Sequence, residues 1–246
     1  MLRLSLVGLG PVGLCTAVCF ATKGYKVIAS EVDATKVSEI KSGEPPFHEP
    51  NLKRLLQKAV KSKNLKIVTN NREAILQSDI TFITVGTPSK ADGSINLAHI
   101  TTVSKEIGKA LRKKKDTNLI VVKSTVIPGT TQNIVGPIIE KNSNKKCGED
   151  FLLCFNPEFL REGNAIKDTL GPDYIVIGGY NKESADKLEN LYKEFHEENL
   201  PPIVRTNIPT AELIKYANNA FLATKISFIN TFANICEKYQ VQTSQK

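Results

Sequence analysis

The stretch LSLVGLGPVGLCTAVCFATKGYKVIASEVD, residues 4–33, constrains the fold more than any other part of this 246-residue chain. It reads as strand, glycine turn, helix and strand, with a G-x-G-x-x-G at its centre formed by Gly8, Gly10 and Gly13. Gly8 permits the tight turn out of the strand, Gly10 lets a pyrophosphate approach the backbone, and Gly13 lets the helix pack closely on the sheet. Pro11 suits a first helical turn, where its missing N–H costs little. The free N–H groups of that turn and the positive end of the helix dipole make an anion site without any charged side chain. The second strand, residues 26–30, ends in Glu31, about twenty residues beyond the turn, where a carboxylate binds both ribose hydroxyls and repels a 2′-phosphate. The expected cofactor is therefore NAD rather than NADP, with Gly8, Gly10, Val12, Gly13 and Glu31 as contacts. The plain alternative is a glycine-rich turn in an ordinary buried βα unit.

Arg3 ahead of an apolar run resembles the start of a targeting signal. Three glycines and a proline interrupt that run, and no other segment approaches eighteen uninterrupted apolar residues, so neither a membrane span nor a leader is expected and the expected location is cytoplasmic. The net charge of +8 comes from 33 Lys and Arg against 25 Asp and Glu. Those lysines are dispersed with little aromatic interleaving, which argues for a solvated surface and against a nucleic-acid partner. Five cysteines, an odd number without metal-ligand spacing, suit a reducing compartment and no metal site. Cys15 and Cys19 are expected in the core.

Beyond Asp33 the chain alternates helices, near 34–41, 51–61, 72–77 and 97–113, with apolar strands at 65–68, 80–85 and 119–122. This alternation predicts an α/β fold with a parallel, doubly wound sheet. Ligands bind at the carboxyl ends of such strands, which makes Thr87 and the Ser124–Thr125 pair candidate cofactor contacts. Lys36 reads equally well as a cofactor contact or a surface lysine. The proline-rich GEPPFHEP, residues 43–50, is a connector whose His48 is expected to pack or face solvent. A helix is predicted at 131–140 and a strand at 151–155, which delivers NPEFLREGNA, residues 156–165. Glu158 and Glu162 stand four apart there, on one face if the segment is helical; a capped helix start with a surface ion pair is the competing explanation. After a strand at 174–177, a helix at 182–195 and a short strand at 201–204, residues 209–239 contain no glycine and one proline, at the start. Apolar residues recur there at helical spacing, predicting one helix about 45 Å long, long enough to bridge domains or subunits. Lys215 and Asn219 share a face of it; by spacing alone they read as exposed helix residues.

Taken together these segments resemble the UDP-glucose/GDP-mannose dehydrogenase family. The carriers are VGLGPVG (residues 7–13), SEVDATKV (30–37), EPNL (49–52), TVGTP (84–88), DGSINL (92–97), KSTVIPGTT (123–131), NPEFLREGNAIKD (156–168) and AELIKYANNAFLATKISFIN (211–230). The resemblance implies a Rossmann-type NAD-binding domain over residues 1–206 and, over 207–246, the long helix that opens a central domain. It implies oxidation of a nucleotide sugar's C6 alcohol to a carboxylate, in two hydride transfers to NAD and through a cysteine-bound thioester. Lys215 and Asn219 then stabilise the oxyanion, Thr125 holds a water, Glu158 transfers protons, Glu162 lies near the cofactor, and Phe159, Leu160, Arg161 and Glu162 line the substrate site with Glu158. The phenylalanine–leucine form of the NPEFLREG segment is closer to the UDP-glucose and GDP-mannose branches than to the N-acetylmannosamine branch, and UDP-glucose is the expected substrate.

The family's nucleophilic cysteine lies in a G-G-x-C segment downstream of the long helix, and no cysteine of this sequence stands in such a segment. Residues 240–246 also depart from the family pattern, so the expectation is a shortened or split gene product that binds NAD with little turnover. A non-catalytic dinucleotide-binding or assembly module is the competing class. A hydroxyacid or 6-phosphogluconate-type dehydrogenase is a third reading, opposed by KSTVIPGTT and NPEFLREG. The apolar side of the long helix predicts a homodimer, or pairing with a missing C-terminal half.

Overall fold

The computed structural model describes residues 2–241. Residues 242–246 lie outside the described residues. Eight strands form one sheet: β1 (Arg3–Val7), β2 (Lys26–Ser30), β3 (Leu65–Val68), β4 (Ile80–Ile83), β5 (Leu119–Val122), β6 (Leu152–Phe155), β7 (Ile175–Gly179) and β8 (Ile203–Asn207). Their order is β3-β2-β1-β4-β5-β6-β7-β8. The first six run parallel, as the alternation predicts; β7 turns antiparallel to β6, and β8 runs parallel to β7.

The central strands read as continuous apolar runs because both faces are covered. Leu119 and Val121 of β5 face one core, Ile120 and Val122 the other. The first core is closed by α1 (Pro11–Thr22), α2 (Ala34–Ser42), α3 (Leu52–Lys61), α7 (Ala165–Leu170) and α8 (Lys182–His196). The second is closed by α4 (Asn71–Leu76), α5 (Ala98–Leu111), α6 (Gly136–Ser143) and the start of α9 (Ile208–Tyr239). Cys15 and Cys19 are fully buried in the first core, and His48 is exposed.

Three local expectations change. The helix predicted at 131–140 opens with a π-helical turn, Thr131–Val135, before α6. The last strand sits two to three residues later than the hydropathy suggested, at Ile203–Asn207. The segment bearing Glu158 and Glu162 is not helical. Gly163 adopts φ +79°, outside the helical region, and Pro157 lacks an N–H, so the two carboxylates do not share a helix face.

α9 has 32 residues, about 48 Å at the usual rise. Its first turns bury Ile208, Ala211, Glu212 and Lys215 against the body; beyond Tyr216 every described residue except the half-buried Cys236 is exposed. Asn207 caps the helix by accepting from Thr210 N at 2.9 Å. Two contacts fix where it leaves the body. Glu212 accepts from Gly129 N at 2.5 Å and Thr131 N at 2.8 Å. Gly178 of β7 lets the helix sit on the strand, since a Cβ there lies 2.7 Å from Ala211 Cβ and 2.9 Å from Ile208 Cα. Gly178→Ala is therefore expected to cost about 2 kcal/mol, read as a lower urea midpoint at unchanged slope.

Candidate functional site

The carboxyl ends of β1, β4, β5 and β6 lie along one edge, and each hands its chain to a polar segment. At the end of β1, Gly8 takes φ +96° and Gly10 caps α1 with Pro11 in the first turn. Space is distributed as the spacing predicts. A Cβ on Gly13 would stand 2.0 Å from Gly8 O and 2.7 Å from Thr84 Oγ1, whereas a Cβ on Gly10 has nothing within 4 Å. Gly13 thus packs helix on turn, and Gly10 faces open space at the helix N-terminus, where backbone N–H groups and the dipole suit a diphosphate.

Glu31 sits at the end of β2, half-buried. Its Oε2 accepts from Leu9 N at 3.0 Å, and its Oε1 accepts from Val32 N at 2.8 Å and Asp33 N at 3.2 Å. The carboxylate is therefore fixed between the glycine turn and the β2 loop before any ligand arrives. Asp33 caps α2, accepting from Thr35 N and Lys36 N, which holds Lys36, half-buried, next to that loop. Thr87 donates to Thr125 O at 2.8 Å and Ser124 to Val85 O at 2.7 Å, so these hydroxyls tie the β4 and β5 loops together. Glu31→Ala is expected to raise the NAD dissociation constant at least about tenfold, since a charged acceptor contributes roughly 1.5–3 kcal/mol. It should also narrow the preference over NADP; paired calorimetric titrations read both effects.

Beside this cradle lies a cavity of about 290 Å³ between the β6 loop, α1, α7, α8 and α9. Glu158, Phe159, Leu160, Arg161, Lys215 and Asn219 all line it. Lys215 Nζ stands 3.0 Å from Glu158 Oε1 and 5.2 Å from the centre of the Phe159 ring. The Glu158 side chain is 14% exposed and that of Lys215 6%. Glu158 Oε2 accepts from Leu160 N at 2.6 Å, so the carboxylate is held from both sides. Arg161 pairs with Asp168 at 2.6 Å, which holds the Asp168 carboxyl below the usual range. Thr125 is half-buried in the β5 loop and Glu162 is exposed in the turn before α7; neither is among the residues lining the cavity.

Sequence reasoning missed the wall behind the ion pair. Lys123, buried, donates to Asn156 Oδ1 at 2.9 Å; Tyr192 Oη donates to the same oxygen at 2.5 Å, and Asn156 Nδ2 donates to Val176 O at 2.8 Å. Burial pushes the Lys123 ammonium down to about 8, opposed by Glu158 and assisted by Lys215. A lysine directly after the apolar run LIVV was the available clue. Glu49 of the connector was also missed: it is buried, and its Oε2 accepts from Gly163 N at 3.0 Å, tethering the loop that carries Glu162. Among the described residues no cysteine lines the cavity. Burial pushes the Cys15 and Cys147 thiols up to about 12, and those of Cys19 and Cys154 higher still.

A glycine cradle on the leading edge of a parallel sheet, flanked by a pocket with a preset ammonium–carboxylate pair, is the layout of a Rossmann-type dehydrogenase. Comparison with known proteins makes the class specific: the chain belongs to the UDP-glucose/GDP-mannose dehydrogenase family. Residues 2–196 match that family's NAD binding domain and residues 209–245 its central domain. NAD is accordingly the cofactor this domain takes, and the room at Gly10 and the anchored Glu31 fit it. The GDP-mannose 6-dehydrogenase of Pseudomonas aeruginosa is 44% identical over 236 residues, covering 96% of this chain and 53% of the relative. The UDP-glucose 6-dehydrogenase of Haloferax volcanii is 42% identical over 245 residues, covering 99% and 56%. The crystal structure of a ternary complex of the Pseudomonas GDP-mannose dehydrogenase superposes with a TM-score of 0.93 at 43% identity, over 98% of this chain and 54% of that one. The chain spans about half the length of the curated relatives it matches. Among the described residues no helix is long and apolar enough to cross a membrane.

Proposed function

We propose that this chain is the cofactor-binding half, and part of the reaction site, of a nucleotide-sugar 6-dehydrogenase. The supporting observation is the Lys215–Glu158 pair in a cavity beside the dinucleotide cradle. NAD, when bound, accepts the hydride leaving the sugar's C6. Lys215 and Asn219 place donors where negative charge develops on the C6 oxygen, a contribution that is large in a site shielded from water. Glu158, within reach of Lys215, moves the proton during hydrolysis of the acyl intermediate, with Thr125 holding the water. Phe159, Leu160 and Arg161 contact the sugar nucleotide, and Glu162 lies towards the cofactor. Lys36, Thr87 and Ser124 complete the cofactor contacts with Gly8, Gly10, Val12, Gly13 and Glu31. The substrate we propose is UDP-glucose, with GDP-mannose as its competitor; relatives of both kinds match, at 44% identity for the GDP-mannose and 42% for the UDP-glucose 6-dehydrogenase.

The division of labour follows from the thiols. The acyl intermediate needs a thiolate at the cavity, and the buried cysteines of this chain stay protonated in the core. Residues 1–206 thus form the NAD-binding domain and 207–246 begin the unit that brings the thiol. The free part of α9 exposes Phe221, Leu222, Ile226, Phe228, Ile229 and Phe232, a stripe suited to a second copy or to a C-terminal half. The purified 246-residue chain is expected to bind NAD in calorimetry, to dimerise in light scattering, and to form no uronate until a polypeptide carrying the thiol is added. Uronate formation by the chain alone overturns the division of labour. Absence of NAD binding overturns the whole reading, and NAD binding with no turnover in any combination favours a binding module.

A further inference from the structure

The charges lining the cavity are unevenly paired. Three cations, Lys123, Lys215 and Arg161, line it with three carboxylates, Glu158, Asp168 and Asp173, and Arg161 and Asp168 at the rim bond each other. Lys215 takes Glu158 as its partner. Lys123 has only a neutral one: an ammonium carries three donors, and among the described residues its hydrogen bond is the one to Asn156 Oδ1, which also accepts from Tyr192. No other titratable group lining the cavity bonds Lys123 among the described residues: Asp173, between α7 and β7, acts on Arg161 and Tyr174, and Glu158, whose charge reaches Lys123, is paired with Lys215. On α8, burial pushes the Tyr192 phenol up and the His196 imidazole down, so both are neutral near pH 7.5; on α7, Asp168 is committed to Arg161. A buried cation without an anion is costly, and the site is relieved by a ligand that brings one.

We propose that Lys123 is a second anion-recognising group of this cavity, which answers the carboxylate formed at the oxidised sugar carbon and makes the site prefer a nucleotide-linked uronate to its parent sugar. This rests on the nucleotide-sugar reading. On that reading the bound C6 goes from a neutral hydroxymethyl to a carboxylate, with NAD as oxidant and water as oxygen source. The ligand therefore gains one negative charge at the end where Lys215 and Glu158 already cancel each other. Lys215 cannot meet that charge without giving up Glu158, whereas Lys123 can, since two of its donors are uncommitted among the described residues. Burial has already lowered the Lys123 ammonium, so the group takes up a proton as an anion binds, because the anion favours the charged form.

The test is calorimetry on the 246-residue chain with UDP-glucose, UDP-glucuronate, GDP-mannose and GDP-mannuronate, in two buffers of different ionisation heat. The uronate of the accepted pair should bind at least tenfold tighter than its sugar, with uptake of a fraction of a proton at pH 8.5 and none at pH 6.5. Lys123→Met should bring the ratio close to one and abolish the uptake, while changing parent-sugar affinity less than threefold; a purely structural lysine would weaken both ligands alike. Equal affinities, or a ratio that survives the substitution, overturn the inference. Should the variant not fold, the wild-type affinity ratio decides alone, a ratio near one being fatal. If none of the four nucleotides binds while NAD does, the nucleotide-sugar reading fails and this inference with it; binding without preference fails this inference only.

Discussion

Gly13→Ala is expected to abolish detectable NAD binding and to lower stability by about 3 kcal/mol, roughly 6–12 °C in melting temperature for a domain of this size. The added methyl would lie 2.0 Å from Gly8 O, well inside any tolerable contact. Relief requires α1 to move away from the turn, yet Gly8 O is itself held by Thr84 Oγ1 at 2.7 Å and Gly8 N by Ser30 O at 2.9 Å. Helix, turn and two strands are therefore disturbed together. Gly10→Ala provides the contrast. Its methyl meets nothing within 4 Å, so the fold should hold within about 1 kcal/mol, the usual range for a change at a helix N-cap. Affinity for NAD should nonetheless fall at least tenfold, because the methyl occupies the approach to the first-turn N–H groups. Thermal unfolding with NAD titration separates the two; a Gly13→Ala protein that melts like wild type would refute the packing argument, and a Gly10→Ala protein that binds NAD normally would refute the placement of the diphosphate.

The cradle was legible in the sequence because glycine sterics are local: turn, approach and packing each demand a missing Cβ at a fixed spacing. Strands buried on both faces were legible for a similar reason, and Leu119–Val122 lies where its apolar run places it. The Glu158–Glu162 spacing could not settle its own condition, because i, i+4 residues share a face only if the backbone is helical. Here Glu158 caps its own loop through Leu160 N, and Asp168 holds Arg161 N at 2.9 Å. Lys123 was hidden for a different reason. The apolar run LIVV ahead of it hints at burial, but the partners of this lysine follow only from Asn156 at the end of β6 and Tyr192 on α8 meeting at one point. The same holds for Glu212, read only as part of a helix, whose carboxyl is raised by burial while it fastens α9 to the β5 loop. Long-range contacts decide such positions, and composition carries no trace of them.

Lys215→Met is expected to reduce turnover about 10²–10³-fold, the usual loss when a preplaced donor to a developing oxyanion is removed, in the enzyme completed by the C-terminal half of its relatives. Methionine keeps most of the apolar stem of lysine, so the substitution removes chiefly the ammonium, with its contacts to Glu158 and to the face of Phe159. That loss strands Glu158, a carboxylate only 14% exposed, whose partner stood 3.0 Å away. Breaking a fully buried pair costs about 3–5 kcal/mol, and the partial exposure here lowers the expectation to about 2 kcal/mol. Glu158→Gln in the same chain should restore more than half of that stability, because the amide needs no counter-ion, and should restore none of the turnover, because it can neither stabilise the oxyanion nor carry the proton. Urea denaturation and NADH formation, measured on the two single variants and the double, therefore part on the last step of the cycle: stability recovers and turnover does not. Recovery of activity in the double variant would mean that Lys215 serves only to neutralise Glu158, and the assignment of the oxyanion to Lys215 would be wrong.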